Sequence, residues 1–449
     1  MDKVIIVGGG LGGLFLALLL ERASVDYVIL ERATEAKMPL VGGGVISITS
    51  QIQPLLQQLG LLDTLRKLSK PISRVTLLEV DQQQAGSQPY VVGILDTTYS
   101  ALRYDYYSLA ISRPELYNTF VDHIPASKFL LGKQVQDISQ DETKVTCICT
   151  DGTRYTGSVL VGSDGAYSNV RLKLYQQLKQ QGKLAAADHE PMRYRYKSLI
   201  GMTEPLNPER FPFVDEDHSS TRVVVSHGDK PFTFWCVPMT GRRLCWMLDE
   251  PLASTMDCPD VEDWSMMTEA VQEQSTKYRA LQSPLAGISL GDLFELTPAG
   301  TMLSLPREEG LFSTWTHGRI ALIGDACHKT FPYAGQPFVQ AGLDAASLAN
   351  ALYGHSAWLP LSSSSSSLSK HRDLVARLKG YEAARQGEAE IAVRTSFHIH
   401  RLLNWQGKVG TIVRYVILNW IPQFLVQRWF GDRLNRDRAR ADFLPKFSS

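Results

Sequence analysis

The sequence carries no excess of charge of either sign: Lys plus Arg and Asp plus Glu both number 46. A balanced chain lacks the basic field that nucleic acid demands and the acidic run that attracts a basic partner. Its six cysteines include no C-x-x-C pair and no grouping with histidine at zinc spacing. Neither a metal site nor a disulfide framework is therefore expected, and reduced, buried thiols in a cytoplasmic protein are. No apolar run reaches the ~20 residues of a membrane-spanning helix. A strand-like run begins at Val4, which leaves no room for a cleaved signal before it. At 449 residues with 44% hydrophobic and 20% charged residues, the chain is an ordinary globular one, too long for one core and suited to two or three domains.

What is present is concentrated in the first thirty-two residues. Val4–Val7 is a short apolar run, Gly8, Gly10 and Gly13 follow as G-x-G-x-x-G, residues 14–20 read as a helix, and the apolar run from Tyr27 to Leu30 ends on Glu31. Strand, glycine turn, helix, strand and acid each have a physical part in holding a dinucleotide. Gly8 permits the tight turn, Gly10 lets backbone approach a pyrophosphate, and Gly13 lets helix pack on strand. The helix N-terminus offers free N–H groups to phosphate, and Glu31 lies where a ribose hydroxyl would be met. The motif alone does not choose between NAD and FAD, and a glycine-rich turn without a ligand is the weaker alternative.

Further along, Gln51 to Leu68 has helical spacing, while Val75–Val80 and Tyr90–Leu95 read as a hairpin around the polar turn 82–88. Ser112-Arg113-Pro114-Glu115 opens a helix, with proline suited to its first turn; on local sequence alone Arg113 reads as a surface residue. Asp151-Gly152 marks a second hairpin. The apolar strand 159–162 runs into Asp164-Gly165, placing backbone donors and an acid at a strand's carboxyl end, where open α/β sheets bind ligands. From about Arg193 to Leu296 the runs are rich in aromatic and β-branched residues and predict an antiparallel sheet. Trp235 and Trp246 are candidates for its pocket, although large aromatics are more often core. A strand over 319–323 leads to Gly324-Asp325-Ala326 and a loop with His328, which reads equally as a base or as a structural histidine. Pro337 opens the next helix. Residues 362–367 are six serines, a linker without chemistry. In the helical C-terminal region the apolar stretch 412–424 is expected to pack on the body of the protein, with an interfacial membrane helix as the lesser reading.

Three pieces in this order and spacing resemble the single-component FAD-dependent aromatic hydroxylases, the p-hydroxybenzoate hydroxylase fold family: G-x-G-x-x-G with Glu31-Arg32, Asp164-Gly165 through Arg171, and Gly324-Asp325-Ala326 through Pro332 to Gly335-Gln336. The extended C-terminus looks most like the fungal salicylate-hydroxylase-like and natural-product tailoring enzymes. The resemblance implies an α/β fold with a discontinuous Rossmann-like FAD-binding domain (1–75, 100–178 and 297–355), an antiparallel β-sheet substrate domain (76–99 and 179–296) and a serine-rich loop with C-terminal helices (356–449).

The resemblance also implies roles. Gly8, Gly10 and Gly13 would face the FAD pyrophosphate, Glu31 and Arg32 the adenosine ribose side, and Gly44 or Val45 the same half of the cofactor. Arg113 would reach FAD, which reverses its local reading. Asp164 and Gly165 would serve FAD and the nicotinamide nucleotide, Asp325 the ribityl side, and Pro332 and Gly335 the flavin ring. Amides of Phe338 and Val339 would point at its pyrimidine edge. Trp235, Trp246, Phe331 and Tyr333 would line the substrate pocket. The family's Gly-Gln-Gly-x-Asn is Gly335-Gln336-Pro337-Phe338-Val339 here, and an arginine common on the first substrate-domain strand is replaced by Ile200, leaving Arg195 and Tyr196 as candidate catalytic substitutes. The implied activity is an NADPH- or NADH-dependent FAD monooxygenase that uses molecular oxygen, through a flavin C4a-hydroperoxide, to hydroxylate or epoxidise an aromatic or hydrophobic small molecule. A flavoprotein oxidase or dehydrogenase, and a non-redox cyclase or pericyclase on the same fold, are the alternatives.

Overall fold

The computed structural model describes residues 3–38, 44–81, 88–257, 264–285, 287–353, 367–434 and 440–445. Most of the polar turn at 82–88, most of the serine run and Cys258 lie outside them.

The opening apolar run folds as a strand, Val4–Val7, at the centre of a six-stranded sheet. It pairs in parallel with Tyr27–Leu30 on one side and Val159–Gly162 on the other, in the registers Val4 to Tyr27 and Val4 to Val159. Ile320–Leu322 continues the sheet beyond Val159–Gly162. All four residues of each of the three central strands are buried, as continuous apolar runs in a doubly covered parallel sheet should be. The helix Leu11–Arg22 covers one face together with Gln336–Tyr353, and Phe15 touches Phe120 and Phe338 at ring distances of 5.7 and 5.9 Å. The expected long helix over 51–68 is two short ones, Gln53–Gln58 and Leu62–Lys67. Gly60 between them sits at φ +75°, a conformation that ends a helix.

The second sheet is mixed and mostly antiparallel. Its order runs His328–Lys329, Leu303–Leu311, Arg193–Met202, Leu244–Asp257, Phe232–Pro238, Ser219–His227, Lys70–Asp81, Leu109–Ser112 and Val45–Ile48, with Tyr90–Asp96 paired to Lys70–Asp81. Lys70–Asp81 runs straight across the expected boundary at residue 75, and Leu303–Leu311, expected beside the cofactor, hydrogen-bonds to Arg193–Met202. The second sheet thus draws strands from segments of both expected domains. Behind Leu244–Asp257, Trp246, Phe234 and Phe294 pack together. A three-stranded meander built around the Asp151-Gly152 turn stands to one side. The C-terminal helices are Ser367–Leu403, which packs on Gln336–Tyr353, then Gly407–Asn419 and Gln423–Leu434. Among the described residues no single helix is long and apolar enough to cross a membrane.

Candidate active site

A cavity of about 1600 Å³ runs from the glycine turn, between the two sheets, to the underside of the C-terminal helices. At its first end the strand Val4–Val7 delivers Gly8, Gly9 and Gly10 to the wall. Gly8 has φ +99°, and a Cβ there would lie 2.6 Å from the Ser163 carbonyl oxygen. At Gly13 a Cβ would lie 2.1 Å from the Gly8 oxygen, so this glycine serves helix-to-strand packing and does not line the cavity. At Gly10 a Cβ would meet nothing within 4 Å. Gly10 is also the N-cap of Leu11–Arg22 and supplies no side-chain cap, leaving the first-turn N–H groups for a ligand. Glu31 accepts from the Gly9 amide at 2.6 Å and the Ala33 amide at 2.8 Å.

Arg32, Gly44, Val45 and Arg113 complete this end. Arg113 begins the helix Arg113–Val121, whose N-cap Ser112 accepts from the Glu115 amide. Its own amide donates to the Gly44 oxygen at 2.9 Å, and among the described residues its guanidinium has no hydrogen-bond or ion-pair partner.

In the middle of the cavity, Asp164 and Gly165 follow the strand Val159–Gly162. The Asp164 carboxylate accepts from the Val170 amide at 3.1 Å and from Ser168, so it fixes the turn into the next helix; burial pushes its pKa up. Asp325 lines the wall and accepts from Lys329. Phe331, Pro332, Tyr333 and Gly335 form the facing loop, and Gly335, at φ +64°, has Ser47 where a Cβ would go. The helix Gln336–Tyr353 starts there, with Phe338 on the wall and Val339 buried behind it. His328 takes the structural role: its Nε2 lies 2.6 Å from buried Asp344, which also accepts from Arg385 at 2.9 Å.

The far end is apolar, with Val75, Leu77, Val223, Trp235, Leu303 and Leu418 on the wall. Three expected residues lie elsewhere. Trp235 pairs with Met247 and Cys236 with Trp246 across neighbouring strands. Strand alternation sends Trp235 and Met247 to the cavity and Trp246 into the core, where its Nε1 donates to Thr297 at 3.0 Å. Gly201 makes room for that ring. Arg195 is exposed and Tyr196 packs against His400; neither lines the cavity. A register shift between Tyr194 and Lys197 re-aims the strand, so Tyr194 and Lys197 reach the wall instead.

The sequence gives no hint of a polar cluster between the loop and the second sheet. Buried Asp249 accepts from Ser198 and from Tyr333, and Arg307 stands 4.0 Å away. Tyr333 and Arg307 line the cavity. Burial pushes both Asp249 and Tyr333 above their ordinary pKa values, while Arg307 draws both down. His400 stacks on Phe331 at 4.1 Å and is neutral, its pKa lowered to about 3 by burial and by Arg307. Three strands, the Phe331–Gly335 loop and the helix Ser367–Leu403 supply these side chains, and only their convergence makes them a site.

Residues 1–205 match the FAD binding domain family. The FAD-dependent monooxygenase olcE of Penicillium canescens is 30% identical over 360 residues, 78% of this chain and 71% of that protein. The chain belongs to the FAD-dependent monooxygenases. The monooxygenase nvfK of Aspergillus novofumigatus is 27% identical over 99% of this chain and 88% of its own length. In fold, Klebsiella pneumoniae HpxO complexed with FAD and uric acid superposes with a TM-score of 0.73 at 21% identity, covering 96% of each chain.

The first end of this monooxygenase's cavity suits FAD: an open position at Gly10, an uncapped helix N-terminus and an unpaired Arg113 answer the charge and bulk of a pyrophosphate. Proline at position 337 costs little, because its missing N–H falls in the helix's first turn, where no intrahelical acceptor exists.

Proposed function

We propose that this enzyme oxygenates a hydrophobic, electron-rich small molecule, drawing electrons from NADPH or NADH and oxygen from O2. The observation that carries this is the continuity of one cavity from the glycine turn to an apolar chamber, with the loop Phe331–Gly335 between them. FAD held along Gly8–Gly10, Glu31, Arg32, Gly44, Val45, Arg113, Asp164, Gly165 and Asp325 supplies the redox and oxygen-activating chemistry. The protein's own groups do the rest. The amides of Phe338 and Val339, at a helix N-terminus, offer positive potential to a charge that builds up beside Pro332. The chamber orients the substrate and keeps water from the reacting oxygen.

Tyr333 is the polar anchor. Its proton is committed to Asp249, so its oxygen is left to accept from a substrate hydroxyl. Drawing on that proton enriches a phenol or enol at the carbon to be oxygenated. Lys197 and Arg307 hold the balancing positive charge on the same wall.

The test is an anaerobic titration of the flavin-loaded enzyme with NADPH, then NADH, followed by turnover under isotopically labelled oxygen. Bleaching of the visible flavin bands and one labelled atom in the product are expected. Product formed while the flavin stays oxidised would overturn the proposal in favour of a non-redox reaction, and unlabelled oxidised product would make the enzyme an oxidase.

A further inference from the structure

We propose that the bent pair of C-terminal helices, Gly407–Asn419 and Gln423–Leu434, seats this protein on an anionic membrane surface. The two helices meet at 105° around Trp420-Ile421-Pro422. The outer side is strongly apolar: Trp420 is 74% exposed and Ile412 60%, and Phe424 and Trp429 are exposed as well. The elements on which the pair packs also expose Val91 and Leu102. A soluble surface rarely gathers so many large apolar groups without a use.

The arrangement is built and not frayed. Glu79 holds Arg414 from inside, Asn419 donates to the Val92 oxygen at 2.8 Å, and Gln423 donates to the Ile94 oxygen at 2.7 Å. The inner sides are already committed, because Ile417, Leu418 and Val426 wall the cavity. With the inside fixed, the outside apolar face is left for another phase.

Two features favour lipid over a second copy of the chain. Tryptophan at the tip suits the interfacial zone of a bilayer, where an apolar ring and an N–H are both accommodated. Arg414 is buried on Glu79 and Arg428 pairs with Asp432, so these charges are already balanced within the fold. Lys408 and Arg401, beside the face, are exposed, make no ion pair among the described residues and are both positive. Two such faces would repel each other, whereas an anionic surface attracts one. The helix Gly407–Asn419 has 13 residues, too short to cross a hydrocarbon core but suited to lying in its boundary. The seat itself rests on no part of the catalytic reading; its consequence, that a lipid-dissolved substrate would arrive just behind the cavity wall, does.

The experiment is co-sedimentation of the full flavin-loaded protein with sucrose-loaded phosphatidylcholine vesicles, with and without phosphatidylserine. Pelleting with the anionic vesicles is expected, reduced by high salt. The triple variant Ile412→Ser, Trp420→Ser, Phe424→Ser should partition at least about tenfold less, with its melting temperature and flavin spectrum unchanged because all three side chains are exposed. Absence of pelleting with either vesicle, or equal pelleting of the variant, overturns the proposal. So does a dimer in sedimentation velocity that the triple substitution dissolves while vesicles are ignored, which would assign the face to a second copy.

Discussion

Arg414 and Glu79 meet in the interior, 335 residues apart in the chain, with Nε 2.7 Å from a carboxylate oxygen and both side chains shielded from water. Thr411 donates to the other oxygen at 2.6 Å, His227 lies 3.1 Å from it, and the guanidinium also donates to the Leu402 and Trp405 carbonyls. This contact joins the C-terminal helices to the strand Lys70–Asp81 and so fixes one wall of the cavity.

Removing one partner should leave the other buried and uncompensated. Arg414→Met is expected to destabilise the protein by about 3–5 kcal/mol, read as a lower denaturation midpoint. The double variant Glu79→Gln, Arg414→Met should lose less, since no buried charge remains. Equal losses would show that the pair adds nothing beyond packing.

The same contact sets an acid limit. Burial alone would raise the Glu79 pKa, but His227, Thr411 and Arg414 outweigh it and hold the group at about 2. An unfolded glutamate titrates near ~4.3. A depressed native value contributes stability that is complete above the unfolded value and lost as pH falls through the native one. Unfolding free energy measured from about pH 5 down to about pH 2 should therefore fall more steeply in the parent than in Glu79→Gln.

At the cofactor end, Gly13→Ala places a methyl against the Gly8 carbonyl, and overpacking of that kind costs about 1–3 kcal/mol. It should give protein with little bound flavin. Glu31→Ala removes the acceptor that holds the Gly9 and Ala33 amides and should raise the FAD dissociation constant about ten- to a hundredfold, measured by flavin fluorescence on deflavinated protein.

The two tryptophans should separate cleanly. Trp246→Ala opens a hole in the core and should cost about 3–5 kcal/mol of stability. Trp235→Ala, on the cavity wall, should raise KM for the substrate with a much smaller thermal shift. Reversed behaviour would place the substrate on the other side of the sheet.

Tyr333→Phe should lower kcat about a hundredfold with FAD content unchanged, and Asp249→Asn should do much the same. The double variant should be little worse than either, because the two residues act as one hydrogen-bonded unit. Additive losses would mean that they act separately.

The parallel sheet was legible because its cues are local: Val4–Val7, the glycines and Glu31 sit within one stretch, and each has a single physical use. Continuous apolar runs likewise marked Val159–Gly162 and Ile320–Leu322. The Asp249 cluster was illegible because Ser198, Asp249, Arg307 and Tyr333 come from three strands and a loop, and no spacing relates them. Arg195 and Tyr196 were misplaced for a related reason. A bulge is a one-residue event without a fixed signature, and it turned the next residues over. Trp246 could have been placed by counting alternation from Trp235, had the register of the two strands been known. The interruption at Gly60 was visible as a glycine, but helical spacing on both sides concealed it.

The central strand Val4–Val7 has a consequence for how the molecule is made. Its neighbours are Tyr27–Leu30 and Val159–Gly162, and Ile320–Leu322 closes the layer beyond. A ribosome delivers the first of these segments long before the last, so Val4–Val7 waits, half paired, for Val159–Gly162, and that strand in turn keeps an open edge until Ile320–Leu322 is made. Long-range parallel pairing of this kind folds slowly and leaves apolar edges open meanwhile. Truncation after residue 205, where the cofactor-domain match ends, would leave the edge of Val159–Gly162 without Ile320–Leu322 permanently, and an open apolar edge of that kind invites aggregation.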